Sequence, residues 1–466
     1  MVVLCLSGCF SVPEPTHELS RDLIATPENY GSLYFPRGEG PSDGWLHTFE
    51  DEQLMALVDE AIARNYDLYQ AAAVREQAIA AVRLSRAGLL PRLDGAVTAE
   101  HDEDTVRAEE LVRIEAQVSW EADLWGRLRA GTRAARADAS ATAFEYAYLR
   151  QSLAALVAET WFAAIAARRQ VDIGVERLQS EQTTAEAAAS RAEAGAGMPL
   201  DFDIAQANLA FAREELAASE AAYFQTIRAL ELLLGRYPNA TLEAAADFPD
   251  MPEMPGVGIP SQLLERRPDL VAAEARVAAA FYREHASRLA RLPRIRLFAS
   301  GGIELSPSEG VWTLAADLFA PLFAAGEINA QIEIATAQQR EAMAAYVQQA
   351  LNAFSEVENA LTNQMYLERR QRDLAEAIRR LESANETAEA RYEAGVLTIF
   401  ELNQIRQNYF GAQSQLVEVK LETLRQRIAL HLALGGSFDE PALSGDSTPE
   451  TDDSGGVNSL APEASS

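Results

Sequence analysis

Four segments of the chain alternate apolar and polar residues with a period of two, as a strand does when its faces meet different surroundings. From Val112 to Leu124 the apolar set is Val112, Ile114, Ala116, Val118, Trp120, Ala122 and Leu124; between them stand Arg113, Glu115, Gln117, Ser119, Glu121 and Asp123. Leu93, Gly95, Val97 and Ala99 alternate with Asp94, Ala96, Thr98 and Glu100. Further on, Ile295, Leu297, Ala299, Gly301 and Ile303 alternate with Arg296, Phe298, Ser300, Gly302 and Glu304, and Trp312, Leu314, Ala316 and Leu318 with Val311, Thr313, Ala315 and Asp317. Strands are therefore expected over residues 92–101, 112–124, 294–305 and 311–320.

After each pair of strands the pattern becomes helical and very long. Leu128 to Ala194 is rich in Ala, Glu, Arg and Gln, has no Pro, and has Gly only at 131 and 174; Ile328 to Ala394 has neither Gly nor Pro. A continuous helix of that length reaches about 100 Å at 1.5 Å per residue, so it must pack lengthwise on other helices. Each is expected to stop at a glycine, Gly195 or Gly395, turn, and return as a second helix to Gly235 or Gly435.

The two halves are copies of one unit. Arg191, Glu193, Ala194 and Gly195 recur 200 positions later as Arg391, Glu393, Ala394 and Gly395, and the same register carries Leu216 onto Leu416 and Leu234-Gly235 onto Leu434-Gly435. Each unit reads as strand pair plus antiparallel helical hairpin, with Ala at many positions allowing close helix approach.

Composition decides which environment the strands meet. The 466 residues are 48% apolar and 24% charged, and no stretch of about 18 apolar residues is free of charge. A membrane crossing would therefore use β-strands. Each alternating segment has about the ten residues a tilted spanning strand needs, and Trp120, Trp125, Trp312 and Phe319 stand near strand ends, as interfacial aromatics do. A half-buried strand of a soluble sheet shows the same alternation, and a soluble coiled-coil or spectrin-like rod would account for the helices alone. Four strands of spanning length cannot close a barrel, and open edges cannot sit in lipid, so copies must pool strands. A dimer's eight-stranded barrel is filled by side chains; conduction favours the twelve strands of a trimer.

Net charge is −30, which disfavours nucleic acid as a partner. Part of it lies in an acidic tail over 436–466, rich in Ser, Gly and Pro, that reads as disordered. The only cysteines are Cys5 and Cys9, so the body offers no thiol for a disulfide, zinc site or nucleophile. Leu6-Ser7-Gly8-Cys9 resembles a bacterial lipobox, in which the peptide is cut before the cysteine and the cysteine is lipidated. Residues 1–8 then form the end of a signal peptide, shorter than usual and without a basic start. Phe10 is not the Asp that commonly retains lipoproteins in the inner membrane. His17, His47, His101, His285 and His431 are scattered without ligand spacing, and no phosphate loop or serine elbow is present. No catalytic residue, metal or cofactor is expected. Gly195-Ala196-Gly197 reads as a helix C-cap and turn, and Gly301-Gly302 as a tight approach or bend in a strand.

Several segments together resemble TolC-like outer-membrane efflux proteins, in the lipoprotein branch typified by NodT and OprM. The most specific is Leu263-Leu264-Glu265-Arg266-Arg267-Pro268-Asp269-Leu270. Others are Ala61-Ile62-Ala63-Arg64-Asn65-Tyr66-Asp67-Leu68, Leu90-Pro91, Trp120-Glu121-Ala122-Asp123-Leu124-Trp125-Gly126-Arg127 and Pro321-Leu322-Phe323, spread in family order from about Trp45 to Gly435. The resemblance implies a mainly α protein with membrane β: an outer-membrane β-barrel, four strands per protomer and twelve in a homotrimer, continued by a long periplasmic α-helical barrel. It implies a lipid-anchored equatorial segment over 9–53, repeats over 54–238 and 261–435, and an equatorial linker over 239–260. Hairpin tips near Gly195, Gly197, Gly395 and Thr398 would meet a periplasmic adaptor protein attached to an inner-membrane pump of the resistance-nodulation-division type. The function implied is the passive exit duct for drugs, metals or other small molecules in the outer membrane of a Gram-negative bacterium. The exit duct of a type I protein secretion system shares the fold, and a periplasmic coiled-coil structural protein is the alternative from another class. Just past the tips, Asp201, Asp203 and the repeat-equivalent Glu401 stand where a trimer would stack rings of negative charge at the aperture, favouring cations. Acids there also suit the first turn of a helix.

Overall fold

A computed structural model of the chain describes residues 43–102, 109–195, 198–305 and 308–439, with 13, 14, 24, 26, 27, 30, 31 and 41 before them. Asp51 opens helix α1 (Glu52–Arg64) by accepting the Leu54 N–H at 2.9 Å, and its other oxygen accepts the Trp161 indole N–H at 2.7 Å. Leu54, Leu57, Val58 and Ala61, spaced three and four apart, bury one stripe of α1. The chain bends at Asn65 into α2 (Tyr66–Ala87); Asn65 Oδ1 accepts from the Asp67 and Leu68 N–H groups, as an N-cap does. Strands β1 (Arg92–Asp102) and β2 (Glu109–Ala122) follow, then the long helix α3 (Arg127–Glu193) and its return α4 (Pro199–Leu233). The second half runs α5 (Pro260–Arg266), α6 (Pro268–Leu289), β3 (Arg294–Leu305), β4 (Ser308–Phe319), α7 (Glu327–Glu393) and α8 (Ile399–Ala433).

The repeat is carried into the backbone. Helices α3 and α7 have 67 residues each and α4 and α8 have 35, both pairs in the 200-residue register; α2 and α6 have 22 each. Equivalent contacts close each unit with different side chains. Asn65 Nδ2 donates to the Leu233 carbonyl at 3.0 Å, and Arg267, at the corresponding bend before α6, donates to the Ala433 carbonyl at 3.3 Å. Gly235 and Gly435 end the return helices at φ 69° and 72°. Each also passes so close to the bend that a Cβ would lie 2.6 Å from the Arg64 carbonyl oxygen or 3.0 Å from the Arg266 carbonyl carbon. The Leu-Gly pairs are thus fixed by both a left-handed φ and a close approach.

This also explains the Arg-Arg-Pro-Asp segment. Pro268 suits the first turn of α6, and buried Arg267 forks onto Asp269 at 3.0 and 2.9 Å while reaching Glu356 at 2.5 Å.

Three strands differ in extent from the sequence expectation, β1 by running one residue further, to Asp102. β2 begins at Glu109 and ends at Ala122, because Asp123 turns away to accept the Leu128 and Arg129 N–H groups at the start of α3, after Gly126 at φ 85°. β4 runs from Ser308 to Phe319, leaving Ala320 outside.

Helices lie side by side in the order α2–α3–α6–α7 towards the sheet and α4–α3–α8–α7 towards the other end. Halfway along α3, buried Leu153, Ala154, Ala155, Val157, Ala158, Trp161, Phe162 and Ile165 gather Trp45, Leu46, Phe49, Ala244 and Phe438 into one core. Segments before α1, between α4 and α5, and after α8 thereby wrap the middle of the helices. Gly44 N–H donates to Ser437 at 2.9 Å, Glu231 accepts the Ala240 and Thr241 N–H groups, and buried Arg427 donates to the Pro252 and Glu253 carbonyls. Residues 436–439, expected to begin the disordered tail, are instead docked. Phe438 is buried beneath the Arg150 guanidinium, and Asp439 pairs with Arg150 at 2.7 Å. The remainder of that tail and Cys9 lie outside the described residues.

Candidate functional site: the sheet and the hairpin tips

The four strands form one antiparallel sheet in the order β1-β2-β3-β4. Its register lines the apolar sets up across all four strands: Leu93 faces Val118, Val118 faces Ala299, and Ala299 faces Leu314. One row further from the helices, Gly95, Ala116, Gly301 and Trp312 align, followed by Val97, Ile114, Ile303 and Gly310. Side chains alternate across a strand, so this whole face is apolar. The opposite face aligns Asp94, Gln117, Ser300 and Thr313, and carries the cross-strand ion pair Arg113–Glu304.

The exposure pattern inverts that of a water-soluble sheet. Along β2, Ile114, Ala116 and Val118 are exposed whereas Arg113, Glu115, Gln117 and Ser119 are partly covered. Leu314 is 76% exposed and Trp312 81%. A contiguous apolar face of this kind calls for an apolar partner, and a hydrocarbon layer matches its strand lengths. Trp120 and Trp125 mark the helix end of the sheet, their indole N–H groups donating to the Leu89 and Pro293 carbonyls at 3.0 and 2.7 Å. Gly302 shows why the glycine pair is there: a Cβ at 302 would collide with the Ile114 carbonyl oxygen and Glu115, whereas at 301 it would meet open space. Among the described residues, strands β1 and β4 each have a neighbour on one side only. No helix among the described residues is long and apolar enough to cross a membrane.

At the other end lie the hairpin tips. Gly195 (φ 66°) and Gly395 (φ 71°) end α3 and α7, and Val396 N–H reaches back to the Arg391 carbonyl at 2.9 Å as in a Schellman turn. Thr398 caps α8 in a reciprocal box: its hydroxyl accepts the Glu401 N–H at 3.3 Å, and the Glu401 carboxylate accepts the Thr398 N–H at 2.9 Å. The Thr398 N–H and the Thr398 hydroxyl, which also donates to that carboxylate at 2.7 Å, hold the Glu401 carboxyl below its ordinary value. Asp203 is exposed and Asp201 half-buried, close enough to Tyr392 to join burial in raising that phenol's pKa against the opposing pull of Arg191. The three acids therefore differ: Glu401 is engaged as a cap, Asp201 faces a tyrosine, and Asp203 is open to solvent. Gly197 lies outside the described residues.

Sequence reasoning missed the residues that tie the tips together. Arg191 donates to the Tyr392 and Glu393 carbonyls at 2.7 and 2.9 Å and lies 4.6 Å from the centre of the Tyr392 ring. Behind it, buried Arg406 joins Thr184, Glu181 and Glu389. A basic residue four positions from both Leu402 and Phe410, and so on one helical face with them, was the available signal. Among the described residues no group of His, Cys, Asp and Glu is arranged to hold a metal ion.

The profile described as "Outer membrane efflux protein" matches residues 57–236 and 259–436. The chain is 28% identical over 457 residues to the pyoverdine export outer membrane protein OpmQ of Pseudomonas putida, covering 93% of this chain and 96% of that one. It is 27% identical to the cation efflux system protein CusC of Escherichia coli, covering 94% and 98%. The solved outer-membrane channel OprN superposes with a TM-score of 0.82 at 23% identity, over 92% of this chain and all of that one.

Proposed function

The chain belongs to the outer membrane efflux protein family, and on that footing we propose that three copies close into a single conduit, the passive exit duct of a tripartite efflux pump. The observation that carries this reading is the four-stranded sheet, apolar on one face, carrying its charged and amide side chains on the other and, among the described residues, unpaired at both edges. Joining β4 of one copy to β1 of the next satisfies both edges. Three copies give twelve strands, and the polar face then lines the lumen.

The helices support the same closure. Within the chain α3 packs on α6 and α8 of the second repeat. Among the described residues its repeat equivalent α7 has no such neighbours, and a further copy's α2 and α4 fit that place. Tyr66, Tyr69 and Leu84 on α2, Phe211 and Leu232 on α4, and Ile334 and Leu351 on α7 are large apolar side chains left exposed in one chain. Rings of helices would extend from the membrane into the periplasm and present the tips to an adaptor bound to an inner-membrane pump of the resistance-nodulation-division type. Cys9 would carry the lipid anchor. The role is conduction, without catalysis. Relatives are named for cargoes as unlike as pyoverdine and cations, so cargo choice belongs to the pump and the duct filters by size and charge.

The charge filter is assigned to Asp201, Asp203 and Glu401 at the far end of the helices. Purified protein should run as a trimer and conduct ions in planar bilayers with a preference for cations. Asp201→Asn combined with Glu401→Gln should weaken that preference and its block by multivalent cations. A trimer whose selectivity is unmoved would reduce these acids to helix caps; a water-soluble, non-conducting particle would remove the duct reading altogether.

A further inference from the structure

We propose that Arg294 and Arg296 hold oxyanions at the base of the barrel: the carboxylate, phosphate or sulfate groups of cargo entering the membrane stretch of the duct. The proposal rests on the trimeric-duct reading for its lumen, but both arginines belong to one strand of one chain. They open β3, and the register places them on the polar face of the sheet, in line with Ser300. Residues two apart on a strand share a face and lie roughly 7 Å from each other, so the two guanidiniums can grip one anion together. The backbone beneath them is fixed, because the Trp125 indole N–H donates to the Pro293 carbonyl at 2.7 Å. Both arginines are exposed, and among the described residues neither forms an ion pair or a hydrogen bond. The two other arginines of the strands are neutralised, Arg92 by Asp94 at 2.9 Å and Arg113 by Glu304. Arg296 stands between Glu121 and Asp317 on the neighbouring strands, yet Glu121 is taken by Arg127 at 2.6 Å. Asp317 is thus left alone against two arginines.

The internal repeat shows that the fold does not require this charge. Leu90-Pro91-Arg92-Leu93-Asp94 enters β1, and 202 positions later Leu292-Pro293-Arg294-Ile295-Arg296 enters β3. The proline, the first arginine and the apolar positions are kept, but Arg296 stands where the first repeat has Asp94. One repeat therefore carries a self-neutralised pair and the other two open guanidiniums, whose planar forks match carboxylate and phosphate oxygens. In a chain of net charge −30 this is a step of opposite sign. It lies one register position to the helix side of Trp120 and Leu297, at the entry to the membrane. Walls of low dielectric focus the field of such a ring into the lumen.

The probe is pyrophosphate, applied on the barrel side to single channels in phosphatidylcholine bilayers. Wild type should show a reversible block that fades with added salt. A pair of unit charges about 6 Å apart in water is worth roughly threefold, so Arg296→Asp, which copies the first repeat and changes the charge by two, should weaken the block roughly tenfold. Asp94→Arg, the reverse graft, should strengthen it by a similar factor, and decides alone should Arg296→Asp fail to assemble. No block in the wild type, or an unchanged block in either variant, overturns the proposal. So does a block abolished by adding phosphatidylglycerol to the bilayer, which would turn the arginines towards lipid headgroups. Particles that do not conduct are read by the phosphorus NMR line of pyrophosphate. It should broaden with wild type and stay sharp with Arg296→Asp; a sharp line with wild type overturns the site. Particle mass on the same samples reports the trimer separately. Binding without a trimer sinks the duct reading and keeps the site, and a trimer without binding does the reverse.

Discussion

If the apolar face of the sheet meets lipid, the cost of a charge there must depend on depth, and the structure sets the scale. A strand rising about 3.4 Å per residue and tilted by roughly 45° gains about 2.4 Å of depth per residue. Trp120 marks the helix-side interface. Val118 then lies about 5 Å inside it and Ile114 about 14 Å, close to the midplane of an apolar band about 25 Å tall. Ile114 lies beside Val97 and Ile303, and all three are exposed. Ile114→Arg should therefore cost about 2–4 kcal/mol per chain, and Val118→Arg less, towards the value of about 0–1 kcal/mol found near interfaces. Gln117→Arg, on the polar face, should cost little. The assay is urea-dependent folding into lipid vesicles, read by the fraction of heat-modifiable trimer. Equal tolerance at Ile114 and Gln117 would refute the membrane placement, and a larger cost at Val118 than at Ile114 would refute the depth assignment.

Three further outcomes are expected. Cys9→Ala should abolish acyl labelling while leaving trimers in the outer membrane, since the barrel itself anchors; labelling that persists would place the lipid elsewhere. His431 is buried, stacked on Trp45 at 5.6 Å, and pushed down to about 4 by burial and by Arg427. The unfolded chain then takes up the proton first: stability is full above pH 6.5 and falls by about 3 kcal/mol as the pH drops to 4, so thermal melts in that range should flatten in His431→Phe. Gly235→Ala should lower the melting temperature more than Gly395→Ala. Both glycines have a left-handed φ, worth about 1–2 kcal/mol, but only at Gly235 does the new Cβ meet backbone; equal shifts would mean that the approach to Arg64 relaxes freely.

The strands and long helices were legible because each rests on a local, repeated signal. Alternation over Val112–Ala122 needs no knowledge of what lies opposite, and a Pro-free stretch ending at Gly195 or Gly395 announces its own length. Ends were less legible where a side chain serves the next element. Asp123 fits the alternation of β2, yet its carboxylate is drawn off by the free N–H groups of α3. Docking of residues 436–439 was hidden for a similar reason: acidic, small-residue composition says nothing of Phe438 finding a place against Arg150. At the tips, spacing identified Asp201 and Glu401 as equivalent positions but not their different surroundings, which depend on Thr398 in one hairpin and Tyr392 beside the other.

That last difference has a general physical origin. A duplicated unit needs the same φ values, the same helix lengths and the same close approaches in both copies, so Gly235 and Gly435, or α3 and α7, remain alike. Polar contacts at equivalent places are free to diverge provided each is satisfied. Asn65 and Arg267 make the same bond to a helix-terminal carbonyl from side chains of different size and charge. Glu231 holds the linker through backbone N–H groups, whereas His431, its equivalent, stacks on Trp45. Sixfold-like geometry with only threefold chemistry follows for a closed ring: neighbouring helices meet in similar ways at every seam, but alternate seams differ in what holds them.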